Sequence, residues 1–278
     1  MSSSGSKDSP KATISDENSS IADGEYARKQ IYCPDTLISW SHRKRFKVAL
    51  DLARAIGPCS ILDYGCGDGT FLGLLSQESN RFGTGIGLEV SPQLVNECRT
   101  RYAYRASLRF TSVDEFLLTT PRQKVDAIFC MEVLEHVVTE EVPQVLRLFQ
   151  DCLKPGGRLF VSVPVETGIP LLIKQTWRCV AGWRGLGDYP GIEPYTWRHL
   201  WRGLTAGEAQ HIPRPIHRPP GGKAFMDHKG FNWKAIHNQI VNLFGVERVF
   251  GSQAQWLPPE MNSQVWMVAR NNTSIHVS

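Results

Sequence analysis

The chain has 278 residues, 31 Lys and Arg against 27 Asp and Glu (net +4), and is 41% hydrophobic. These values exclude a wholly disordered, collagen-like or disulfide-dense protein, and no run approaches the roughly 18 consecutive apolar residues of a membrane span. Seven cysteines at 33, 59, 66, 98, 130, 152 and 179 form no Cys-x-x-Cys pair, which argues against a disulfide framework or a zinc cage and for reduced thiols in a cytoplasmic compartment. The small basic excess does not by itself imply a nucleic-acid partner.

In chain order, residues 1 to about 23 carry eight serines, no apolar periodicity and no signal-peptide core. They read as a disordered, dispensable leader. Residues 24–278 read as one large domain. Its first part, 25–57, is helical in pattern, with apolar Ile38, Trp40, Phe46, Leu50, Leu52, Ala53 and Ile56 before a Gly57-Pro58 break. Arg43, Lys44, Arg45 and Lys47 crowd this helix.

From 59 to 164 short apolar strands alternate with helices. The strands are expected at 60–65, 83–90, 107–113, 125–131 and 157–164, and the helices near 69–78, 92–103 and 139–152. This alternation signals a parallel sheet covered on both faces. Thr139 is expected to cap its helix, and Lys154-Pro155-Gly156-Gly157 to end it. Between 165 and 230 the pattern dissolves into a stretch rich in Gly, Pro, Trp and Arg. A helix at 232–243, capped by Asn232 and closed by Gly245, and strands at 246–251 and 263–269 complete the chain.

The glycine loop is the most informative feature. Asp63-Tyr64-Gly65-Cys66-Gly67-Asp68-Gly69-Thr70 joins the first strand to the first helix of the alternating region. Glycines there let the backbone turn tightly and approach a ligand. A dinucleotide fingerprint wants glycines at the first, third and sixth positions; here the sixth is Thr70. Asp63 before the first glycine suits a cationic ammonium better than a pyrophosphate.

Segment 61–71 resembles motif I of class I S-adenosylmethionine-dependent methyltransferases. Gly87-Leu88-Glu89-Val90-Ser91 resembles the second-strand acid motif, Val113-Asp114 the position near the adenine, and Asp126–Val137 the fourth-strand motif of the type 11 and ubiquinone-biosynthesis O-methyltransferase branch. Leu153–Leu159 resembles the turn into the fifth strand. The resemblance implies a three-layer α/β/α sandwich around a Rossmann-like, seven-stranded, mostly parallel sheet with an antiparallel last strand. It implies S-adenosyl-L-methionine as cofactor, held by Asp63, Gly65, Cys66, Gly67, Gly69, Glu89, Val90, Val113, Asp114 and Met131. The physical chemistry agrees: Asp63 can take the ammonium, backbone N–H groups the carboxylate, Glu89 the ribose diol and Asp114 the adenine amine. Arg43 is a candidate partner of the cofactor's carboxylate; a solvated helix face is its alternative.

On the acceptor side, Met131-Glu132-Val133-Leu134-Glu135-His136 lacks the Asn/Asp-Pro-Pro-aromatic pattern of nucleobase N-methylation. The reading is O- or C-methylation of a small, partly apolar molecule. His136 is the candidate base, with a packing or capping role as its alternative. The insert 165–230 is expected to select the acceptor, through side chains such as Trp177, Trp197 and Arg198. Ile169–Trp177 reads as an amphipathic lid or a membrane contact, and Trp197–Arg202 suits a nucleic acid; packed helices or dimer contacts are the favoured reading of both. His211, His217 and His228 lack metal-ligand spacing, and no metal is expected. The rival functions are an RNA methyltransferase, a non-catalytic S-adenosylmethionine-binding protein, and a nicotinamide-dependent oxidoreductase, the last disfavoured by Asp63 and Thr70.

Overall fold

The structure, a computed structural model, describes residues 21, 24, 27–28, 36–78, 82–120, 122–183, 195–208, 212–219 and 221–272, without the side chains of 36–38, 41 and 177–183. Seven strands form the main sheet: β1 (Ser60–Tyr64), β2 (Thr84–Glu89), β3 (Leu108–Ser112), β4 (Val125–Met131), β5 (Leu153–Pro164), β8 (Gly245–Gly251) and β9 (Gln264–Arg270). Their order is β3-β2-β1-β4-β5-β9-β8. The first five are parallel, and β9 runs antiparallel between β5 and β8. The mostly parallel sheet with an antiparallel last strand is therefore present. The strand order reverses at β1 and β4, and open sheets of this kind bind ligands beyond the carboxyl ends of such strands.

Both faces are covered because side chains alternate along each strand. Ile61, Ala127, Phe129, Phe160, Trp266 and Val268 face one layer, built from α1 (Thr36–Ile56), α2 (Thr70–Ser76) and α3 (Pro92–Arg101). Leu62, Ile128, Cys130, Leu159, Val161, Val265 and Met267 face the other, built from α4 (Val113–Leu117), α5 (Val142–Cys152) and α8 (Trp233–Val241). Phe129 stacks on Phe160 and meets Phe71 at a tilt of 50°, with ring centroids 4.6 and 4.7 Å away. Each such fully buried large side chain contributes roughly 1.5–3 kcal/mol.

The stretch 165–230 holds more regular structure than its composition suggests. It contains α6 (Gly168–Trp183), α7 (Trp197–Leu204) and a hairpin of β6 (Ile216–His217) with β7 (Phe225–Met226). Among the described residues no helix is long and apolar enough to cross a membrane.

Several boundaries differ from expectation. Thr139 opens a short 3-10 turn rather than capping α5, because its hydroxyl donates to Met226 Sδ at 3.5 Å. β5 begins at Leu153, which pairs with Val125, so Lys154–Gly157 form an irregularity inside the strand; Gly156 takes φ +74° there. Asn232 caps α8 as expected, but α8 ends at Val241 and Gly245 starts β8.

Of the leader expected over 1–23 only Ile21 is described, and the rest lies outside the described residues. Ile21 is 2% exposed and belongs to the buried cluster of Phe46 and Phe71, so this one side chain gains more from burial than its polar neighbourhood suggests. Ile21→Ala is expected to cost about 2 kcal/mol, roughly 4–8 °C in Tm. An unchanged melting curve would show that this segment does not dock.

Candidate active site

The loop from β1 to α2 is shaped by its glycines. Gly65, Gly67 and Gly69 have φ of +75°, +55° and +76°, a region that side chains with a Cβ avoid. At Gly65 a Cβ would also collide with Val133 Cγ2. The N–H groups of Gly65 and Cys66 both donate to Leu88 O, at 2.8 and 3.0 Å, tying the loop to β2. Asp68 holds the loop from outside: Oδ1 accepts from Thr70 Oγ1 at 2.6 Å, and Oδ2 from Ala27 N at 3.0 Å. Ala27 thus rests on the glycine loop.

Register brings the acids to one edge, with Asp63 opposite Gly87 and Glu89 opposite Ser112. Asp63 is 1% exposed, and its Oδ1 has no hydrogen-bond partner. Burial, with the charges of Glu89 and Asp68 adding, pushes this carboxyl up to about 8. Glu89 lies beside the loop: Oε2 accepts from Gly67 N at 3.0 Å, and Oε1 from Val90 N at 2.7 Å and Ser91 N at 3.2 Å. These bonds fix its carboxylate and leave lone pairs for further donors. Asp114 is placed differently from the expected adenine contact. Its carboxylate is exposed and takes Lys223 Nζ at 2.7 Å, from the loop between β6 and β7.

The basic run on α1 turns Arg45 inward and leaves Arg43 exposed. Arg45 is 6% exposed, donates to His42 Nδ1 at 2.9 Å and lies 3.6 Å from Glu132. Burial lowers Arg45, while the charges of Glu132 and Glu135 act to raise it. Arg45, not Arg43, faces the glycine loop. Glu132 is the only non-glycine residue with positive φ, +56°, among the described residues. Such a conformation costs on the order of 1–3 kcal/mol and persists where surroundings enforce it; here Glu132 N donates to Ser162 O at 2.9 Å.

Two cavities meet at Gly65 and Glu132. The smaller, about 130 Å³, is lined by Arg45, Asp63, Cys66, Gly67 and Met131 among others. The larger, about 800 Å³, takes Glu89, Val90 and Val113 on one side and Val133, His136 and Phe225 on another. Of the foreseen cofactor residues, Asp63, Gly65, Cys66, Gly67 and Met131 line the smaller cavity, and Gly65, Glu89, Val90 and Val113 the larger, with Gly65 in the wall of both. Gly69 is the turn at the start of α2, and Asp114 is outside the lining. His136 lines the larger cavity; its Nδ1 lies 2.9 Å from Met226 O, and Met226 N donates to His136 O at 2.9 Å. A carbonyl only accepts, so Nδ1 carries a proton and donates this bond.

The insert reaches the larger cavity through Lys223, Ala224 and Phe225. Trp197 is 88% exposed, Arg198 is exposed and neither is in the lining; the Trp177 side chain and His211 lie outside the described residues. Sequence reasoning missed Arg45, Lys223 and Phe225. It also missed a cluster in which Glu135, His136 and His228 each place one oxygen or nitrogen within 4.8 Å of the others. Glu135 is fully buried, and burial, then the charge of Glu132, raises its carboxyl well above the usual range.

Comparison with known proteins sets this geometry in a family. A family model described as "Methyltransferase domain" matches residues 39–213, more than half of the chain. The chain belongs to this family. The protein is 36% identical over 117 residues to the ubiquinone biosynthesis O-methyltransferase of Xanthomonas oryzae pv. oryzae, a match covering 41% of this chain and 44% of that one. It thus spans less than half the length of that curated relative. Its fold is similar to that of the PH0226 protein from Pyrococcus horikoshii OT3, with TM-score 0.54, 15% identity and coverage of 84% and 91% of the two chains. It is also similar to the N-methyltransferase NodS of Bradyrhizobium japonicum WM9, solved in complex with S-adenosyl-L-homocysteine, with TM-score 0.50, 13% identity and coverage of 93% and 98%. The protein's fold is that of the class I S-adenosylmethionine-dependent methyltransferases.

Proposed function

We propose that the protein transfers a methyl group from S-adenosyl-L-methionine to an oxygen or carbon of a small, partly apolar acceptor, in the cytoplasm. The observation that carries this reading is Asp63: a buried carboxylate with an unpartnered oxygen, beneath a glycine loop and beside Glu89. Such a group is costly unless a cation answers it, and the cofactor's ammonium is one. When bound, the cofactor supplies an electrophilic methyl on a sulfonium.

The chain's own residues supply the positioning. Asp63 holds the ammonium and Arg45 the carboxylate, both from the smaller cavity. Glu89 accepts from the ribose hydroxyls, and Val90 and Val113 flank the adenine. Glu132, His136 and Phe225 bound the acceptor's side of the larger cavity, whose walls are mostly apolar. Alignment of the reacting atoms and exclusion of water are the main requirements of an in-line methyl transfer. His136, with its ring fixed by Met226, is the candidate base.

Calorimetry with S-adenosyl-L-homocysteine and with NAD tests the reading. Binding of the first alone is expected; tight NAD binding without the other would end it. Glu89→Ala is expected to weaken S-adenosyl-L-homocysteine by about 1.5–3 kcal/mol, the range for hydrogen bonds to charged groups, or roughly ten- to a hundredfold. An unchanged Kd in a folded variant would make Glu89 a structural acid that only ties Gly67. A nucleic-acid acceptor is the second reading. It is favoured by exposed Trp197 and Trp201 beside Arg198 and Arg202 on α7, and a steep salt dependence of RNA binding would support it.

A further inference from the structure

We propose that Lys223 and Asp114 are a positioning pair: they fasten the loop between β6 and β7 over the adenosine part of the bound cofactor and set the rate at which it exchanges. The proposal rests on the transferase reading above. The pair forms at long range, with Lys223 Nζ donating to Asp114 Oδ1 at 2.7 Å across 109 positions of the chain. Lys223 comes from the β6–β7 loop, and Asp114 from the first turn of α4.

The place of the pair gives it a task. The 800 Å³ cavity has Val113 in its wall on the α4 side and Lys223, Ala224 and Phe225 on the insert side. Asp114 follows Val113 and stays outside the lining, so the ion pair joins these two walls at the rim. Glu89 and Val90 line the same cavity, which puts the fastened loop across the end where the ribose and the adenine lie.

The loop is built to be held from outside. β6 and β7 contribute two residues each, and a hairpin this small does not hold itself together in water. At one end Met226 N donates to His136 O at 2.9 Å, which anchors β7 on the turn after β4. At the other end the Lys223–Asp114 pair fastens the loop. Gly221, near the tip, has φ +71°, and a Cβ there would meet nothing within 4 Å, so the tip has room to swing.

The strength of the contact suits a latch. The two side chains keep 51% and 73% of their exposure, and an exposed ion pair is weak and screened by salt. It slows release without trapping the ligand. Phe225, two residues on, carries the His217 ring stacked on it at a centroid distance of 5.1 Å and stands in the cavity wall. Closing the latch over the cofactor therefore also sets this wall of the acceptor's side, and opening it to release the cofactor loosens both.

The test follows radiolabelled S-adenosyl-L-homocysteine bound to the full chain and chased with excess unlabelled ligand, at low and at high salt. Lys223→Met and Asp114→Asn are each expected to release it about three- to fivefold faster than wild type at low salt, the reach of one exposed ion pair. Lys223→Glu sets two carboxylates face to face and should release it faster still. The double variant Lys223→Glu/Asp114→Lys should return close to the wild-type rate, a rescue that a merely structural lysine would not give. Release from wild type should quicken with salt, and Lys223→Met should lose most of that response. Melting temperatures are expected to stay at the wild-type value throughout. A wild-type release rate in Lys223→Met overturns the proposal. So does an Asp114→Asn chain that binds more weakly while Lys223→Met binds more tightly, because Asp114 then leaves Lys223 to hold the adenine amine. If the wild type does not bind S-adenosyl-L-homocysteine, the transferase reading falls and the latch with it. If it binds and every variant releases it at the wild-type rate, only the latch falls.

Discussion

Asp63→Asn is expected to stabilise the ligand-free protein at neutral and alkaline pH while removing tight cofactor binding. The carboxyl of Asp63 is pushed to about 8 in the fold, first by burial and then by the charges of Glu89 and Asp68. In the unfolded chain it titrates near 3.9. Between these values the folded state keeps a proton that the unfolded state releases, so Asp63 lowers stability progressively as pH rises through that window. Asparagine removes the charge and this dependence with it. The gain comes from removing this titration and grows with pH across the window. The loss of binding is about 3–5 kcal/mol for breaking a buried ion pair, which is a hundredfold or more. Melting curves at pH 5 and pH 8.5 should show the variant's advantage growing with pH. Calorimetry of S-adenosyl-L-homocysteine in two buffers of different ionisation enthalpy should show the wild type releasing a proton on binding at pH 7, because the ammonium favours the charged carboxylate. A variant no more stable than wild type at pH 8.5, with binding intact, would make Asp63 an ordinary core acid.

The stability that Asp63 gives up is the physical sign of a site, and its location was legible in the sequence. An acid at the end of an apolar strand, followed by glycines at 65, 67 and 69, marks the strand end where the smaller cavity opens. β4 was legible to the residue, because Val125–Met131 are nearly all apolar and bounded by polar neighbours. Other features depend on chain trajectories that local pattern does not encode. Asp114 pairs with Lys223, which the insert brings back to it, a contact that local pattern does not announce. His228 has no ligand spacing along the chain and meets His136 only because β7 bonds to the turn after β4. The hairpin of β6 and β7 has just two residues per strand, too few for alternation to register. Arg45 is a different case, because a signal was present and went unused. Residues 45, 49 and 53 lie at i, i+4 and i+8, on one face of a helix, and Ala49 and Ala53 are small enough to pack against α2. All three are buried. Arg43 lies off that stripe.

This phase relation yields the second large effect. Arg45→Met is expected to cost about 3–5 kcal/mol of stability, the penalty for removing one partner of a buried charge pair, because Glu132 loses the cation 3.6 Å away. It should also weaken S-adenosyl-L-homocysteine ten- to a hundredfold, since the cofactor's carboxylate loses a charge-assisted donor. Arg45→Lys keeps the charge without the planar fork and should fall between the two. Arg43→Ala, an exposed position on the same helix, should change stability by no more than about 0.5 kcal/mol and leave cofactor affinity alone. The two effects of Arg45 separate in the double variant Arg45→Met/Glu132→Gln. Neutralising Glu132 should restore much of the melting temperature, because one uncompensated buried charge is gone, while the affinity stays low because no cation faces the cofactor's carboxylate. Melting curves and calorimetry on the four proteins decide the matter. If the double variant regains affinity together with stability, Arg45 only balances the charge of Glu132 and does not touch the cofactor; if Arg43→Ala weakens binding as much as Arg45→Met, the helix presents its other face to the site.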